Sequence, residues 1–418
     1  MTHYDIVVIG GGPAGLSAAV EAKNQGVEKV LIIERDVEPG GILQQCIHNG
    51  FGIHIFKEEL TGPEYAQRYI DMAKERNIEI LLNTMVISVS ADKEIKAMNE
   101  NGILDIKAQA IVLAMGCREN TRGALAIPGD RPSGVFSAGT AQRYINIEGY
   151  MVGKKAIVLG AGDIGMIMAR RIVLEGGQVI AVLARGNVVK GLTRNVVQCL
   201  DHYGIPLLLN HNITKISGKE RVESVTIAQT DERKQVIPGT EKEYECDTVL
   251  LSVGLVPENE LSRMAGVEID KRTSGPFVNE SMETSVSGIF ACGNVVHVHD
   301  VVDFVTEESI RAGASAARFV REGIKGGECL NVTVSGGITY CVPHRIRYSD
   351  MPDKLDLFMR VEQVYDEARI VVKNNGNVLA DFKKKNLTPG EMVKQSVKKS
   401  LFADIKGEIE ISLVGGEK

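Results

Sequence analysis

Two segments of this chain share one plan, and together they limit its fold more than any other feature of the sequence. In the first, the apolar run Ile6–Ile9 leads into Gly10-x-Gly12-x-x-Gly15. An alanine-rich stretch from Leu16 to Lys23 follows, then Lys29–Ile33 ending at Glu34. In the second, Ala156–Leu159 leads into Gly160-x-Gly162-x-x-Gly165, then Met166–Glu175, then Val179–Leu183. A short apolar run, a glycine turn and a helical stretch returning to a second apolar run read as a βαβ unit of a buried parallel sheet. Gly15 to Glu34 and Gly165 to Ala184 are both steps of 19 positions, so the units superpose without a gap. Two such units 150 residues apart predict two nucleotide-binding domains. A solenoid would repeat at a much shorter period.

The glycines have distinct physical tasks. The first permits a tight turn, the second lets backbone approach a pyrophosphate, and the third lets helix and strand pack closely. The helix N-terminus then offers unpaired N–H groups to phosphate oxygens. Glu34 can accept hydrogen bonds from ribose hydroxyls. The matching position of the second unit is Ala184, followed by Arg185, so the carboxylate that selects a free 2′-hydroxyl is missing there. Nothing repels a 2′-phosphate, and Arg185 could pair with one. NADP(H), loosely held NAD(H) and a partly vestigial site all stay open for the second unit.

Further strand signals end in glycine: Ala110–Ala114 before Met115-Gly116, Thr248–Val253 before Gly254, and Ile289–Cys292 before Gly293-Asn294. Val301 to Arg321 suits a long helix. A composition shift at Lys325-Gly326-Gly327 precedes strand signals at Leu355–Val361, Ala368–Lys373 and Asn377–Phe382, with Asn374-Asn375-Gly376 as a hairpin turn between the last two. Thr388–Glu391 suits a capping box, yet Met392–Val397 fits a strand nearly as well. Lys383-Lys384-Lys385 reads as a solvated strand end. The expected class is α/β: two Rossmann-like dinucleotide-binding domains and a small β-rich C-terminal domain. The expected boundaries are 1–118 with 255–328, 119–254, and 329–418.

The 418 residues are 44% hydrophobic and 24% charged with a formal charge of −6, which gives no basic footprint for nucleic acid. Seven cysteines, at 46, 117, 199, 246, 292, 329 and 341, include no C-x-x-C pair. With no secretory leader at the start, reduced thiols in a cytoplasm are expected. No stretch of about 18 apolar residues occurs, so no direct membrane insertion is expected.

The order Gly10–Gly15 with Glu34-Arg35, then Pro39-Gly40-Gly41, then Leu113-Ala114-Met115-Gly116, then Thr284–Asn294 resembles the FAD motifs of the pyridine nucleotide–disulfide oxidoreductase superfamily. The likeness covers about residues 1 to 325. It implies FAD held by Gly10, Gly12, Pro13, Ala14, Gly15, Glu34 and Arg35, with Gly41, Ile42, Ala114 and Gly116 beside them. Val86 would meet the adenine through its backbone, and Gly293-Asn294 would reach the ribityl–pyrophosphate region. Asn294 replaces the usual Asp, keeping an acceptor and dropping the charge. The helix opening at Val302-Asp303 would aim N–H groups at the pyrimidine end of the flavin. The likeness also implies NAD(H) or NADP(H) at Gly160, Gly162, Asp163, Ile164, Gly165, Ala184, Arg185 and Gly254.

Disulfide reductases of that superfamily use a cysteine pair beside the flavin. Here Cys46 stands alone, with Phe51 where a C-x4-C partner would be, so disulfide reduction is not expected. Cys46 as a sulfenate centre, in the manner of NADH peroxidase, is one alternative. Segments 40–48, 191–199 and 292–300, together with Arg360-Val361 and Leu387–Met392, resemble the FAD/NAD(P) subunits of multi-subunit dehydrogenases. These serve complexes of the anaerobic glycerol-3-phosphate dehydrogenase, opine or amine oxidase and hydrogen cyanide synthase types. The likeness implies an oligomeric assembly in which one partner is a substrate-oxidising flavoprotein and another is a small electron carrier. His297 and His299 would lie near the isoalloxazine, donating protons or lining a partner surface, or be loop histidines bonded to backbone. Cys46, His48, Cys341 and His344 are ligand types, but their spacing matches no metal clip, and no metal is expected. The expected chemistry is hydride transfer between nicotinamide and flavin, stacked in a cleft between the nucleotide domains. The alternative from a different class is a cofactor-bearing scaffold with a degenerate second site.

Overall fold

The protein is described from a computed structural model covering residues 1–323, 327–403 and 405–415. Contacts divide it into two compact units, Met1–Cys117 with Pro257–Lys418, and Arg118–Val256. The chain therefore leaves the first unit once and returns to it. Lys325-Gly326, part of the composition shift noted above, lies outside the described residues.

In the first unit, strand Thr2–Ile9 lies between Val30–Ile33 and Gly102–Leu113, parallel to both. Glu79–Leu81 extends the sheet beyond Val30–Ile33, and Ile289–Ala291 pairs in parallel with the far end of Gly102–Leu113. Near-continuous apolar sequence is what a strand covered on both faces requires: Ile6, Val7, Val8, Leu31, Ile32, Ile111 and Val112 are all fully buried. Each such side chain contributes about 1.5–3 kcal/mol relative to exposure. Met85–Val89 and Glu94–Asn99 add an antiparallel meander that the sequence reading did not place, because its side chains alternate between buried and exposed. Helix Pro13–Asn24 packs on the long helix Val302–Glu322 with the backbones almost touching. A Cβ on Gly313 would stand 2.2 Å from the Ala18 carbonyl oxygen.

The second unit has a five-stranded parallel sheet, in the order Val135–Ser137, Thr248–Leu251, Lys155–Leu159, Gln178–Ala184, Leu207–Leu209. An antiparallel sheet of His211–Ser217, Ser224–Gln229 and Lys242–Glu245 accompanies it. Helix Asp163–Leu174 buries Met166, Met168, Ala169 and Ile172.

From Cys329 onward the first unit is built of strands. A five-stranded sheet contains Cys329–Ser335, Arg345–Arg347, Tyr365–Asn374, Asn377–Leu387 and Ile409–Gly415. A three-stranded one contains Ile338–Val342, Lys354–Val361 and Val393–Lys398. The hairpin turn sits as expected, with Asn374 paired to Asn377 and both Asn375 and Gly376 at positive φ. Val393–Lys398 resolves the ambiguity after Thr388 in favour of a strand. The three lysines do not end a strand but lie inside Asn377–Leu387. Lys384 is half-buried there and donates to the Lys394 carbonyl, and burial pushes its ammonium down. Among the described residues no helix is long and apolar enough to cross a membrane.

The β-rich part grips the loop that precedes the long helix. The Arg360 guanidinium donates to the carbonyls of Gly390 at 2.6 Å and Val298 at 3.1 Å, and lies 3.5 Å from Asp300 Oδ1. Asp300 Oδ2 in turn accepts the Met392 N–H at 3.0 Å. Arg360 and the segment 387–392 thus act as a clasp. Charge-assisted hydrogen bonds of this kind contribute about 1.5–3 kcal/mol each. Arg360→Ala is expected to release residues 296–301 and 388–392 together, read as new cleavage in both segments under limited proteolysis. Cleavage confined to one of them would contradict a shared clasp.

Candidate functional site

The two glycine turns fold alike, atom for atom in their main contacts. Gly10 and Gly160 have φ of +107° and +110°, and their N–H groups donate to the carbonyls of Ile33 and Leu183 at 2.9 and 2.8 Å. A Cβ on Gly10 would lie 2.4 Å from the Ala114 carbonyl oxygen; one on Gly160 would lie 1.9 Å from that of Ser252. The third glycines approach the first ones so closely that a Cβ on Gly15 or Gly165 would meet the Gly10 or Gly160 carbonyl oxygen at 1.8 or 2.5 Å. The middle glycines differ. A Cβ on Gly12 meets nothing nearer than the Gly41 Cα at 3.9 Å, so the space above it is open. Gly12 and Gly162 are the N-caps of their helices, and neither helix has a side-chain cap. Open space over bare N–H groups at the helix N-terminus fits a dinucleotide pyrophosphate in the first unit; in the second, a Cβ on Gly162 would lie 3.5 Å from Ser252 Oγ and one on Gly191 would lie 2.9 Å from the Asp163 nitrogen, so the matching turn is more closely covered.

Around the first turn, Glu34 is buried with its carboxylate accepting from Gly11 N–H at 2.6 Å and Asp36 N–H at 2.8 Å. Those bonds fix its direction and leave lone pairs for ribose hydroxyls. Gly40 N–H donates to the Gly11 carbonyl at 2.8 Å, which seats Gly41 against Gly12; Ile42 next to it is exposed. Val86 is buried within Met85–Val89, and Gly116 has φ of +68° just beyond Ala114. Gly293, at φ +73°, sits where a Cβ would lie 2.8 Å from that of Ala14, so the late motif touches the early one. The Asn294 amide is already engaged: its oxygen accepts His299 N–H at 3.0 Å and its nitrogen lies 3.6 Å from Cys117 Sγ. Cys117 is a neighbour that the sequence reading passed over. The long helix begins at Val302 without a side-chain cap. Asp303 Oδ1 accepts Ile55 N–H at 3.0 Å, while its Oδ2 is buried with no partner among the described residues. An orphaned acceptor beside uncapped N–H groups fits a flavin edge that both donates and accepts.

In the second unit Asp163 faces inward, its Oδ1 accepting from Leu192 N–H at 2.8 Å and Asn195 Nδ2 at 2.6 Å. Those bonds fasten the loop at Leu192 and Asn195 over the turn. Ala184 ends its strand, the Arg185 carbonyl accepts from Thr230 at 3.0 Å, and Gly254 has φ of +99°.

His297 and His299 correct the sequence reading. Both are buried, so neither lines a partner surface, and neither ring is bonded to backbone. Their partner is Glu308 on the long helix, itself fully buried: His297 Nε2 stands 2.8 Å from Oε2 and His299 Nε2 stands 3.5 Å from Oε1. Burial, and then the neighbouring His299, push the His297 imidazole down to about 4, so at neutral pH it is uncharged and donates to the carboxylate. Glu308 Oε1 also accepts Gly293 N–H at 2.7 Å, which ties the histidines to the flavin motif. Glu308 went unnoticed in the sequence. The signal was there: at helical spacing it falls on the same face as Val305 and Ala312, where an acid is out of place.

Cys46 is buried, with its thiol donating to the Ile42 carbonyl at 3.2 Å. Burial pushes Cys292 and Cys341 up to about 12 and Cys246 to about 11, so none of these three is a thiolate. His344 accepts Val278 N–H at 3.2 Å. Among the described residues, Cys46, His48, Cys341 and His344 do not gather at a common point that could hold an ion.

The sequence matches the family described as pyridine nucleotide-disulphide oxidoreductase over residues 4–329. The chain belongs to this family and is an FAD- and NAD(P)-dependent oxidoreductase. It is 31% identical over 339 residues to an NADH oxidase of Methanocaldococcus jannaschii, covering 77% of this chain and 69% of that protein. It is 24% identical over 310 residues to an opine oxidase subunit of Agrobacterium tumefaciens, covering 70% and 61%. It thus spans about two thirds of the length of these curated relatives. In fold it is similar to T. acidophilum thioredoxin reductase, with a TM-score of 0.62 at 23% identity over 76% of this chain and 98% of the other. The family match ends where the β-rich part begins.

Gly12 and Gly15 give opposite expectations. Gly15→Ala forces a Cβ into backbone and is expected to yield insoluble protein. Gly12→Ala is expected to fold with unchanged thermal stability and to bind FAD about 10- to 100-fold more weakly, as loss of a charge-assisted contact of about 1.5–3 kcal/mol dictates. Flavin fluorescence titration of the refolded apoprotein is the measurement, and equal FAD affinity in Gly12→Ala would contradict the cradle.

Proposed function

We propose that this protein passes hydride between a nicotinamide dinucleotide and FAD without a redox disulfide, as the electron-transfer subunit of a multi-subunit dehydrogenase. The observation that carries the reading is the pair of matching glycine cradles, one in each unit, each under an uncapped helix N-terminus. Bound FAD supplies the two-electron chemistry, and the chain supplies binding and orientation. In the first unit the unpaired N–H groups at the start of helix Pro13–Asn24 hold phosphate, Glu34 holds ribose, and the N-terminus of Val302–Glu322 favours negative charge at the flavin end. In the second unit the missing acid at Ala184 leaves room for a 2′-phosphate, and Arg185 is the cation beside it. NADPH is therefore accepted at least as well as NADH.

Two observations disfavour thiol chemistry. Phe51 stands where a partner to Cys46 would be, and the Cys46 thiol is buried and engaged by the Ile42 carbonyl. The subunit role rests on the segments around residues 40–48, 191–199 and 292–300 and on the likeness to a protein named as part of an opine oxidase. A separate flavoprotein subunit would oxidise the substrate, of glycerol-3-phosphate or amine type, and a small carrier subunit would complete the path. The likeness to a protein named NADH oxidase favours a second reading, in which the chain alone reduces oxygen.

Anaerobic addition of NADPH to the flavin-loaded protein is expected to bleach the flavin, with Arg185→Ala slowing NADPH about tenfold or more and sparing NADH. Indifference of the flavin to both nucleotides would remove the reading and leave a scaffold. In air, slow peroxide release by the isolated chain fits the subunit role, whereas rapid turnover establishes the oxidase. Cys46→Ser is expected to retain full bleaching rate; a large loss would restore the sulfenate alternative.

A further inference from the structure

We infer that His297, His299 and Glu308 form a binding site for one divalent transition-metal ion of the imidazole-preferring kind, zinc or ferrous iron. The three side chains come from two places, the loop after Gly293 and the second turn of the long helix. They converge so that one ligand atom of each lies within 4.8 Å of the others. All are buried: His297 is 1% exposed, His299 8% and Glu308 0%.

Three features call for a cation there. First, an ionised carboxylate with no solvent access is costly unless it is paired. Among the described residues no lysine or arginine nitrogen stands within 4.0 Å of Glu308; Arg311 acts on it only from farther off, and the two imidazoles are its neighbours. Second, neither ring nitrogen of His299 has a hydrogen-bond partner among the described residues, although the ring is enclosed. Its Nε2 meets only the Glu308 carboxylate, at 3.5 Å, too long for a good hydrogen bond and short enough for both groups to share one cation. Third, the surroundings suit ligation. The Tyr340 hydroxyl lies 3.4 Å from His297 Nδ1, the far nitrogen, and Gly293 N–H holds Oε1, so the ligands are oriented from behind. The Phe358 ring stands 6.0 and 5.6 Å from the two imidazoles and closes the site to water.

Two neutral imidazoles and one carboxylate are the donor set of zinc and non-haem iron centres, and nothing sulfurous is among them. When the ion binds, His297 gives up its Nε2 proton and takes one at Nδ1, beside the Tyr340 hydroxyl, so the ring stays neutral while Nε2 and Glu308 Oε2 turn their lone pairs to the metal. The ion then locks the loop carrying Gly293 to the long helix, a task separate from hydride transfer and independent of the function proposed above.

The test uses the full chain with its flavin, produced in medium supplemented with zinc and iron and purified without chelator. Elemental analysis is expected to show about one zinc or iron per chain. That content is expected to fall at least tenfold in His299→Ala and Glu308→Gln. Metal at background in the wild type, as purified and again after incubation with Zn²⁺ or Fe²⁺ and desalting, overturns the site. So does metal retained equally in both variants. Should the variants not fold, X-ray absorption of the metal in the wild type decides alone. Nitrogen and oxygen ligation with imidazole scattering supports the assignment, and thiolate ligation refutes it.

Discussion

The structure depends on one close contact made twice, a glycine Cα resting on the carbonyl of another glycine five residues earlier. At Gly15 and Gly165 no side chain, however small, fits between helix and turn. That contact brings each helix N-terminus over the end of the sheet, and in the first unit the space above Gly12 is open. Everything attributed to a phosphate follows from this placement. The buried apolar strands beneath serve to hold the turn rigid, so the sheet is the support and the turn is the instrument.

A second constraint acts on the far side of the first unit. Gly293 packs against Ala14, and its N–H is held by Glu308 from the long helix, so the turn at Gly293-Asn294 is fixed from two directions. The β-rich part adds a third through Arg360, which reaches the carbonyls of Val298 and Gly390. The same guanidinium thus spans two chain segments distant in sequence, a use that a lysine could not reproduce with one ammonium.

The sequence was informative where chemistry is local. The glycine turns, the strands Ile6–Ile9 and Ala156–Leu159, the long helix and the Asn375-Gly376 hairpin all follow from residues next to one another, and all were legible. Residues whose meaning depends on distant partners were not. The histidine loop read about as well as flavin- or partner-facing as it did as loop histidines bonded to backbone, because nothing near it in sequence reveals Glu308. The lysine run read as solvated, because the Lys394 carbonyl that receives Lys384 comes from a strand that pairs in another sheet. The meander at 85–99 was missed because half-buried strands carry weak apolar runs. Asp163 was named only as part of the second turn, and the fold adds that its carboxylate accepts from Leu192 N–H and Asn195 Nδ2.

The two turns are nearly identical in backbone, yet Glu34 follows one strand and Ala184 ends the other. The backbone of the turn is therefore common to both units, and the two part in the side chain at the strand's end. A change at that rim leaves the close glycine packing beneath it untouched, so the support and the selecting edge can vary independently.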